Sequence, residues 1–399
     1  CSVVSSFRAI SASFRWSLLA ILALQGWMRN LFGAIYSLRK PRPSLNGDDS
    51  MESAADSNKP CRSWRWGRFS FDALAEAESC LLSTVRAKIV STFVNVRLAC
   101  SQIYTITAKG DEADERRVPL LFIHGFAAGV GVWAASIDCI AEQRVVHAID
   151  LLGFGRSSRP EFSDDPTLAE LQYVQSIEDW RREMNVEKMV IVAHSFGGFL
   201  ATSYALEHPD RVRHLVLVDP WGFPEKPVDD RQIRPVGWIR AVATVVSMFN
   251  PLSALRAAGP YGAALVKRLR PDLAVRYKTA HPDAIYEYVY QCNAREPSGE
   301  VAFSNMSYSF GWARRPMMNR ITALSQDVPL TFIYGSRSWV DSASGVEVQQ
   351  LRPSAYVDVQ VIRGAGHHVY VDRTEAFNDV LRRTVEMIDA DEDLIEQFS

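Results

Sequence analysis

Several things this sequence lacks narrow what it can be. The six cysteines, Cys1, Cys61, Cys80, Cys100, Cys139 and Cys292, contain no CxxC pair, and no histidine cluster stands beside them. That spacing excludes the usual zinc patterns and a dense disulfide framework, so no metal site is expected and the cysteines read as free thiols of a reducing compartment. Charge imbalance is also missing: 44 basic against 46 acidic side chains leave a formal net charge of −2. Such a chain has no global field to draw a polyanion, which argues against a nucleic-acid partner. Long apolar runs are absent as well. The longest uncharged stretch near the N-terminus, Trp16 to Met28, falls short of the roughly 20 residues of a spanning helix.

Residues 1–47 contain no Asp or Glu, yet carry Arg8, Arg15, Arg29, Arg39, Lys40 and Arg42. This composition fits a transit peptide, an uncleaved signal, an interfacial helix or a mispredicted start. The polar stretch Pro41 to Pro60 reads as a linker, so residues 1–60 form an extension apart from the fold. Residues 61–99 hold alternating indoles and guanidinium groups around Trp64 and Trp66, followed by a leading helix. Indoles favour the headgroup level of a bilayer, which makes Trp64 and Trp66 candidate membrane contacts; packing on the domain is the plain alternative.

With 399 residues, 47% of them hydrophobic, the chain can bury a large α/β core. Short β-branched runs alternate with helical segments from residue 100 on, which predicts a mostly parallel sheet with helices on both faces. The expected strands are Leu120 to Ile123, Arg144 to Ile149, Met189 to Ala193, Leu215 to Val218, Leu330 to Tyr334 and Val357 to Ile362. Between Val218 and Leu330 the rhythm stops for longer than a loop would explain, so a helical cap is inserted there. The expected division is core over 100–224, cap over 225–325, core again over 326–390 and an acidic tail over 391–399.

The chemistry centres on Ala193-His194-Ser195-Phe196-Gly197, which follows an apolar strand and opens a helix. A strand, a tight small-residue turn and a helix make a nucleophile elbow, with Ala193 in place of the usual first glycine. Ser195 is therefore the candidate nucleophile, and Ala193, His194 and Gly197 form its turn. About 70 residues earlier, Ile123-His124-Gly125-Phe126 runs from a strand into a His-Gly turn. The backbone N–H groups of Phe126 and Phe196 are the expected oxyanion hole, and His124 reads as a turn-stabilising residue. Asp150 to Ser158, with Gly153 and Gly155, reads as a structural loop beside the site.

A serine nucleophile needs a base and an acid, in the chain order Ser, acid, His. His367, directly after Gly364-Ala365-Gly366, is preferred over His368 as the base. For the acid, Asp341, seven residues beyond Tyr334, is preferred over Asp219, which reads as organising the start of the cap. The mechanism expected is acyl transfer through Ser195, His367 and Asp341, with no cofactor. The run Gly237 to Phe249 is apolar enough to meet lipid chains, and Arg256, Lys267, Arg268 and Arg270 are placed to meet a phosphate unless they form a solvated face.

These residues resemble one branch of the α/β-hydrolases, the α/β-hydrolase-domain proteins four and five, over roughly residues 60 to 385. The resemblance rests on Asp150-Leu-Leu-Gly-Phe-Gly-Arg-Ser-Ser-Arg-Pro160, Asp219-Pro-Trp-Gly-Phe-Pro224, Pro297-Ser-Gly-Glu300, Leu351-Arg-Pro353 and Gly364-Ala-Gly-His-His-Val-Tyr370. It implies a lysophospholipase acting on lysophospholipid or N-acyl phospholipid, or a lipid-droplet co-activator of a triacylglycerol lipase. Ser195 matches the hydrolases of the branch, whereas Arg337 and Gly366 match the co-activators, in which they imply a lipase-activation surface. His367 to Asp372 also fits the HxxxxD pattern behind proposals of lysophosphatidic acid acyltransferase activity in the branch. The location implied is cytoplasmic and peripheral on a lipid droplet or endomembrane, or mitochondrial if the first residues are a transit peptide.

Overall fold

The computed structural model describes residues 69–226, 251–277, 279, 281–308 and 311–398. Trp64, Trp66 and the apolar run 237–249 lie outside the described residues.

Ten strands are described: β1 Lys88–Val96, β2 Ser101–Lys109, β3 Leu120–Ile123, β4 Val146–Ile149, β5 Met189–His194, β6 Val212–Val218, β7 Ser307–Tyr308, β8 Trp312–Ala313, β9 Leu330–Gly335 and β10 Val357–Ile362. Eight of them form one sheet in the order β1-β2-β4-β3-β5-β6-β9-β10. The β1–β2 and β2–β4 pairs are antiparallel, and every later pair is parallel. The sheet thus begins at Lys88, not near residue 100 as the sequence suggests. β1 is an edge strand that leaves most of its side chains exposed, so it lacks the apolar signature that marks the central strands.

The helices are α1 Phe71–Leu82, α2 Ala134–Ala141, α3 Pro166–Glu183, α4 Phe196–Glu207, α5 Pro251–Ala257, α6 Gly262–Leu269, α7 Leu273–Arg276, α8 Ala284–Asn293, α9 Ser298–Asn305, α10 Ala343–Leu351, α11 Val369–Asp372 and α12 Thr374–Phe398. Local chemistry explains where several begin. Ser70 accepts the N–H of Ala73 at the head of α1, and Asp165 accepts those of Thr167 and Leu168 at the head of α3, where Pro166 takes the first position.

Alternation along the central strands feeds two cores. Leu121, Ile123, Ile191, Leu215, Leu217 and Phe332 face α3 and α4, while Leu120, Phe122, Val190, Val192, Val216 and Ile333 face α2 and α12. Strands buried on both faces read as continuous apolar runs. The stretch 391–398, expected as an acidic tail, continues α12, and its Asp393 pairs with Arg117 at 2.7 Å. The inserted segment leaves the core after β6 and returns before β9. Its two ends run together, with the N–H groups of Met317 and Met318 bonding the carbonyls of Gly222 and Phe223 at 2.9 and 3.1 Å.

Candidate active site

β5 ends at His194 and α4 begins at Phe196, so Ser195 makes the whole turn between them. Its φ of 52° and ψ of −116° lie in a region that side chains rarely adopt. The turn is held from both sides: Ser195 N–H bonds Val218 O at 3.0 Å, and Ser195 O accepts from Trp221 N at 3.1 Å. Although Ser195 is the N-cap of α4, its side chain makes no capping hydrogen bond, which leaves the hydroxyl for another partner. A methyl group on Gly197 would lie 2.4 Å from the carbonyl oxygen of His124, so only glycine lets α4 approach β3 this closely.

That partner is His367. Its Nε2 lies 3.0 Å from Ser195 Oγ and its Nδ1 lies 2.7 Å from Asp219 Oδ2. A carboxylate can only accept, so Nδ1 carries the proton, Nε2 is the free lone pair, and the serine hydroxyl donates to it.

The acid is therefore Asp219, and the expectation of Asp341 is corrected. Asp341 is solvent-exposed, and its Oδ1 accepts the N–H of Ala343 at 2.9 Å, at the start of α10. Asp219 follows the last residue of β6 with a φ of 46° and is fully buried. Its Oδ1 accepts Gly335 N–H at 3.1 Å, and its Oδ2 accepts the hydroxyl of Ser338 as well as the imidazole. The physical reason is register. His194 stands opposite Val218 in the β5–β6 ladder, so Ser195 and Asp219 both stand one position past that last pair. The loop after β9 serves Asp219 through Gly335 and Ser338, and Asp341 lies beyond that contact.

His194, expected only as a turn residue, also braces the base: its Nε2 lies 3.0 Å from the carbonyl oxygen of His367 and donates to it. Burial, followed by the neighbouring His367 and His368, holds His194 well below the usual imidazole range. His124 accepts Leu151 N–H on Nε2 at 2.9 Å and donates from Nδ1 to Gly125 O at 2.7 Å, which makes it a turn-stabilising residue. Its imidazole is pushed down to about 4 by burial. The turn it secures lies against the nucleophile, since a methyl on Gly125 would stand 3.1 Å from Ser195 Cβ. This brings the Phe126 end of the turn and the Phe196 end of α4 to the same serine. The rings of Phe126, Phe196 and Trp221 all pack around Phe303, an aromatic cluster that begins at the residue after the nucleophile and in which Phe126 is only half-buried.

His368 does not reach Ser195 and is pushed down to about 3 by burial and then by His367, Arg270 and Arg276. Asp150 is structural: its carboxyl accepts the N–H groups of Val130 and Arg156, both at 2.7 Å. Arg337 is exposed, and its N–H bonds the carbonyl of Ala365 at 2.8 Å, which sets it beside Gly366. Asp372 Oδ2 accepts the N–H of Gly366 at 2.6 Å, and its other oxygen forms an ion pair with Arg276. Of the basic residues considered for phosphate, Arg256 pairs with Glu300 at 2.8 Å, Lys267 with Asp283 at 2.8 Å and Arg270 with Asp272 at 2.9 Å. Those three charges are answered within the inserted segment.

Sequence reasoning missed Ser338, whose role depends on a turn after β9, and Trp339. The Trp339 ring is 64% exposed and its centroid lies 5.1 Å from that of His367. No pattern in the sequence places either beside the base. Among the described residues no three His, Cys, Asp or Glu side chains gather as a metal site requires, and no helix is long and apolar enough to cross a membrane.

Residues 118–374 match the family model described as alpha/beta hydrolase fold. The chain is 46% identical over 322 residues to the human (lyso)-N-acylphosphatidylethanolamine lipase, covering 80% of this chain and 93% of that one. It is 44% identical over 322 residues to the human protein named 1-acylglycerol-3-phosphate O-acyltransferase ABHD5, covering 80% and 91%. Among solved structures, the naproxen esterase of Bacillus subtilis aligns over 78% of this chain and 97% of that one, with a TM-score of 0.55 at 17% identity.

Proposed function

The chain belongs to the α/β-hydrolase fold family, in the branch of the two human relatives, and from that premise we propose that it is a serine hydrolase of acyl glycerophospholipids, of the lysophospholipase type. The observation that carries this reading is the Ser195–His367–Asp219 relay, with contacts of 3.0 and 2.7 Å.

Ser195 Oγ attacks the ester carbonyl carbon as His367 Nε2 takes the hydroxyl proton. The carbonyl π electrons move to its oxygen, which the backbone N–H groups of Phe126 and Phe196 stabilise. The imidazolium faces Asp219, whose charge favours it. Collapse expels the glyceryl oxygen, which takes the proton from His367. Water then attacks the acyl-enzyme by the same route and frees the fatty acid and Ser195. Half-buried Phe126, backed by the buried rings of Phe196, Trp221 and Phe303, favours an apolar acyl group at this site. The name of the human lipase points to a lysophospholipid or N-acyl phospholipid as substrate. With a lipid hydroxyl instead of water as acceptor, the same acyl-enzyme would give the acyl transfer named for the second relative. The enzyme works at the surface of a lipid droplet or endomembrane.

Exposed Arg337 lies beside Gly366, which favours a second role: a docking face for a triacylglycerol lipase. It predicts that Arg337→Ala lowers activation of that lipase while Ser195→Ala does not, and an unchanged lipase rate overturns it.

The test of the main reading is labelling with a fluorophosphonate, which captures activated serines. The parent chain is expected to label and to cleave lysophospholipid, and Ser195→Ala to do neither. Undiminished turnover in Ser195→Ala refutes it.

A further inference from the structure

The HxxxxD pattern joins the base to an aspartate that the mechanism above does not use. His367 lies on a short crossing from β10 to α12, a segment with no sheet partners of its own. Asp372 closes that segment on itself. The one-turn helix α11 brings its carboxylate back six residues, where Oδ2 accepts the N–H of Gly366 at 2.6 Å, immediately before the base. The side chain is only 7% exposed, and its second oxygen is engaged by Arg276. Arg276 belongs to α7 of the inserted segment and also bonds Asp272 at 2.9 Å, so its guanidinium is anchored there before it reaches across.

We infer that Asp372 is a positioning residue for His367, and that Arg276 holds it in place, linking the inserted segment to the catalytic imidazole. The inference rests on the hydrolase reading for its catalytic consequence. The chemistry is that of a carboxylate fixing a backbone amide. With Gly366 tethered on one side and the His367 carbonyl held by His194 at 3.0 Å on the other, the imidazole has little room to leave the line between Ser195 and Asp219. Displacements of about 1 Å in such a line cost on the order of 10²-fold in rate. Arg276, one-third exposed, makes the alignment depend on where α7 sits.

Asp372→Ala is expected to slow fluorophosphonate labelling of Ser195 by about 10- to 100-fold, and to lower kcat on a soluble short-chain ester with KM within about twofold. Asp372→Asn keeps an oxygen for the Gly366 N–H but turns its NH₂ group toward the Arg276 guanidinium, donor against donor, so it is expected to label at about the rate of Arg276→Ala and faster than Asp372→Ala, an order that loss of folding alone would not give. Arg276→Ala is expected to slow labelling in the same direction, and adding it to Asp372→Ala to cause little further loss, because both act through one contact. The downfield Nδ1–H proton of His367, read by NMR in the full chain, reports the Asp219 contact without turnover. It is expected to broaden or shift in Asp372→Ala and Arg276→Ala. Parental labelling rates and an unmoved proton in a folded Asp372→Ala overturn the inference; should that variant not fold, the same result in Arg276→Ala overturns it. A parent that never labels refutes the hydrolase reading instead, and the NMR proton still decides the link.

Discussion

Replacing Asp219 by asparagine separates the two candidate acids. Asparagine tolerates the left-handed backbone at this position, where φ is 46°, so the change adds no backbone strain of the kind alanine would bring. It is also the same size. What changes is the hydrogen-bond sense. Asp219 Oδ1 receives the Gly335 N–H, and Oδ2 receives both the imidazole N–H and the Ser338 hydroxyl. If the asparagine oxygen stays on Gly335, its NH₂ group faces His367 Nδ1 and forces the proton onto Nε2, against Ser195. If the amide turns over, NH₂ meets the Gly335 N–H, donor against donor, in a fully buried place. Either arrangement costs the base its correct tautomer or leaves a buried donor unpaired. A buried acid changed this way in a serine hydrolase costs about 10⁴-fold in kcat, roughly 5 kcal/mol of barrier. We expect Asp219→Asn to lose about 10³- to 10⁴-fold in ester turnover and in the fluorophosphonate labelling rate. Asp341→Asn retains an oxygen for Ala343 N–H and is expected to stay within about twofold. The reverse order, with Asp341→Asn crippled and Asp219→Asn active, would refute the reasoning.

Ser338→Ala removes one of three donors to Asp219 while Gly335 and His367 remain, and is expected to lower kcat by about 3- to 10-fold, as loss of a supporting partner does; an unchanged kcat counts against a role for that hydroxyl. Gly197→Ala, whose methyl would press on the His124 carbonyl at 2.4 Å, is expected to lower the melting temperature and the labelling rate together, and parental values of both would show that the contact is not tight. Acid should also destabilise the fold. Burial lowers His124 and His147 to about 4, His214 and His368 to about 3, and His194 well below the usual value. The unfolded chain binds protons at these five sites below about pH 6.5 and the folded chain does not, so their stabilisation is complete above that pH and lost as it falls. Burial raises the carboxyls of Glu78, Asp150 and Glu300, which act in the opposite sense. Five imidazoles stand against three carboxyls, so on balance unfolding takes up protons below the ordinary imidazole range and stability falls with pH there. The melting midpoint is expected to drop by a few degrees between pH 6.5 and 5, and a flat midpoint over that range contradicts the burial of these imidazoles.

The central strands were legible because their signal is local. Leu120 to Ile123 and Val357 to Ile362 appear in the structure with the same bounds, since an apolar run set off by turn residues needs no knowledge of its neighbours. β1 was not legible, because Lys88–Val96 lies on an edge and its pattern is mostly exposed. Ser195 and His367 follow from turn chemistry written in adjacent residues. The acid does not, because Asp219 and Asp341 each follow a strand and differ only in how those strands are ordered in space. Strand order is a tertiary fact, and it places β6 next to β5. The same holds for Ser338 and for the Arg276–Asp372 pair, which join residues 119 and 96 positions apart in the chain.

The placement of Ser195 and Asp219 just past the end of one β5–β6 ladder makes rate and stability separable traits. Two members of the relay are inherited from neighbouring interior strands of the sheet and change only if the core changes. The third rides on a short crossing that is pinned in the second core only at its flanks, by Ala365 and by Val369, Tyr370 and Val371. Change confined to Gly366, His367 and the Asp372 tether can therefore slow or silence turnover while the core side chains around them stay in place, and lineages can trade catalysis for binding without first passing through an unfolded ancestor.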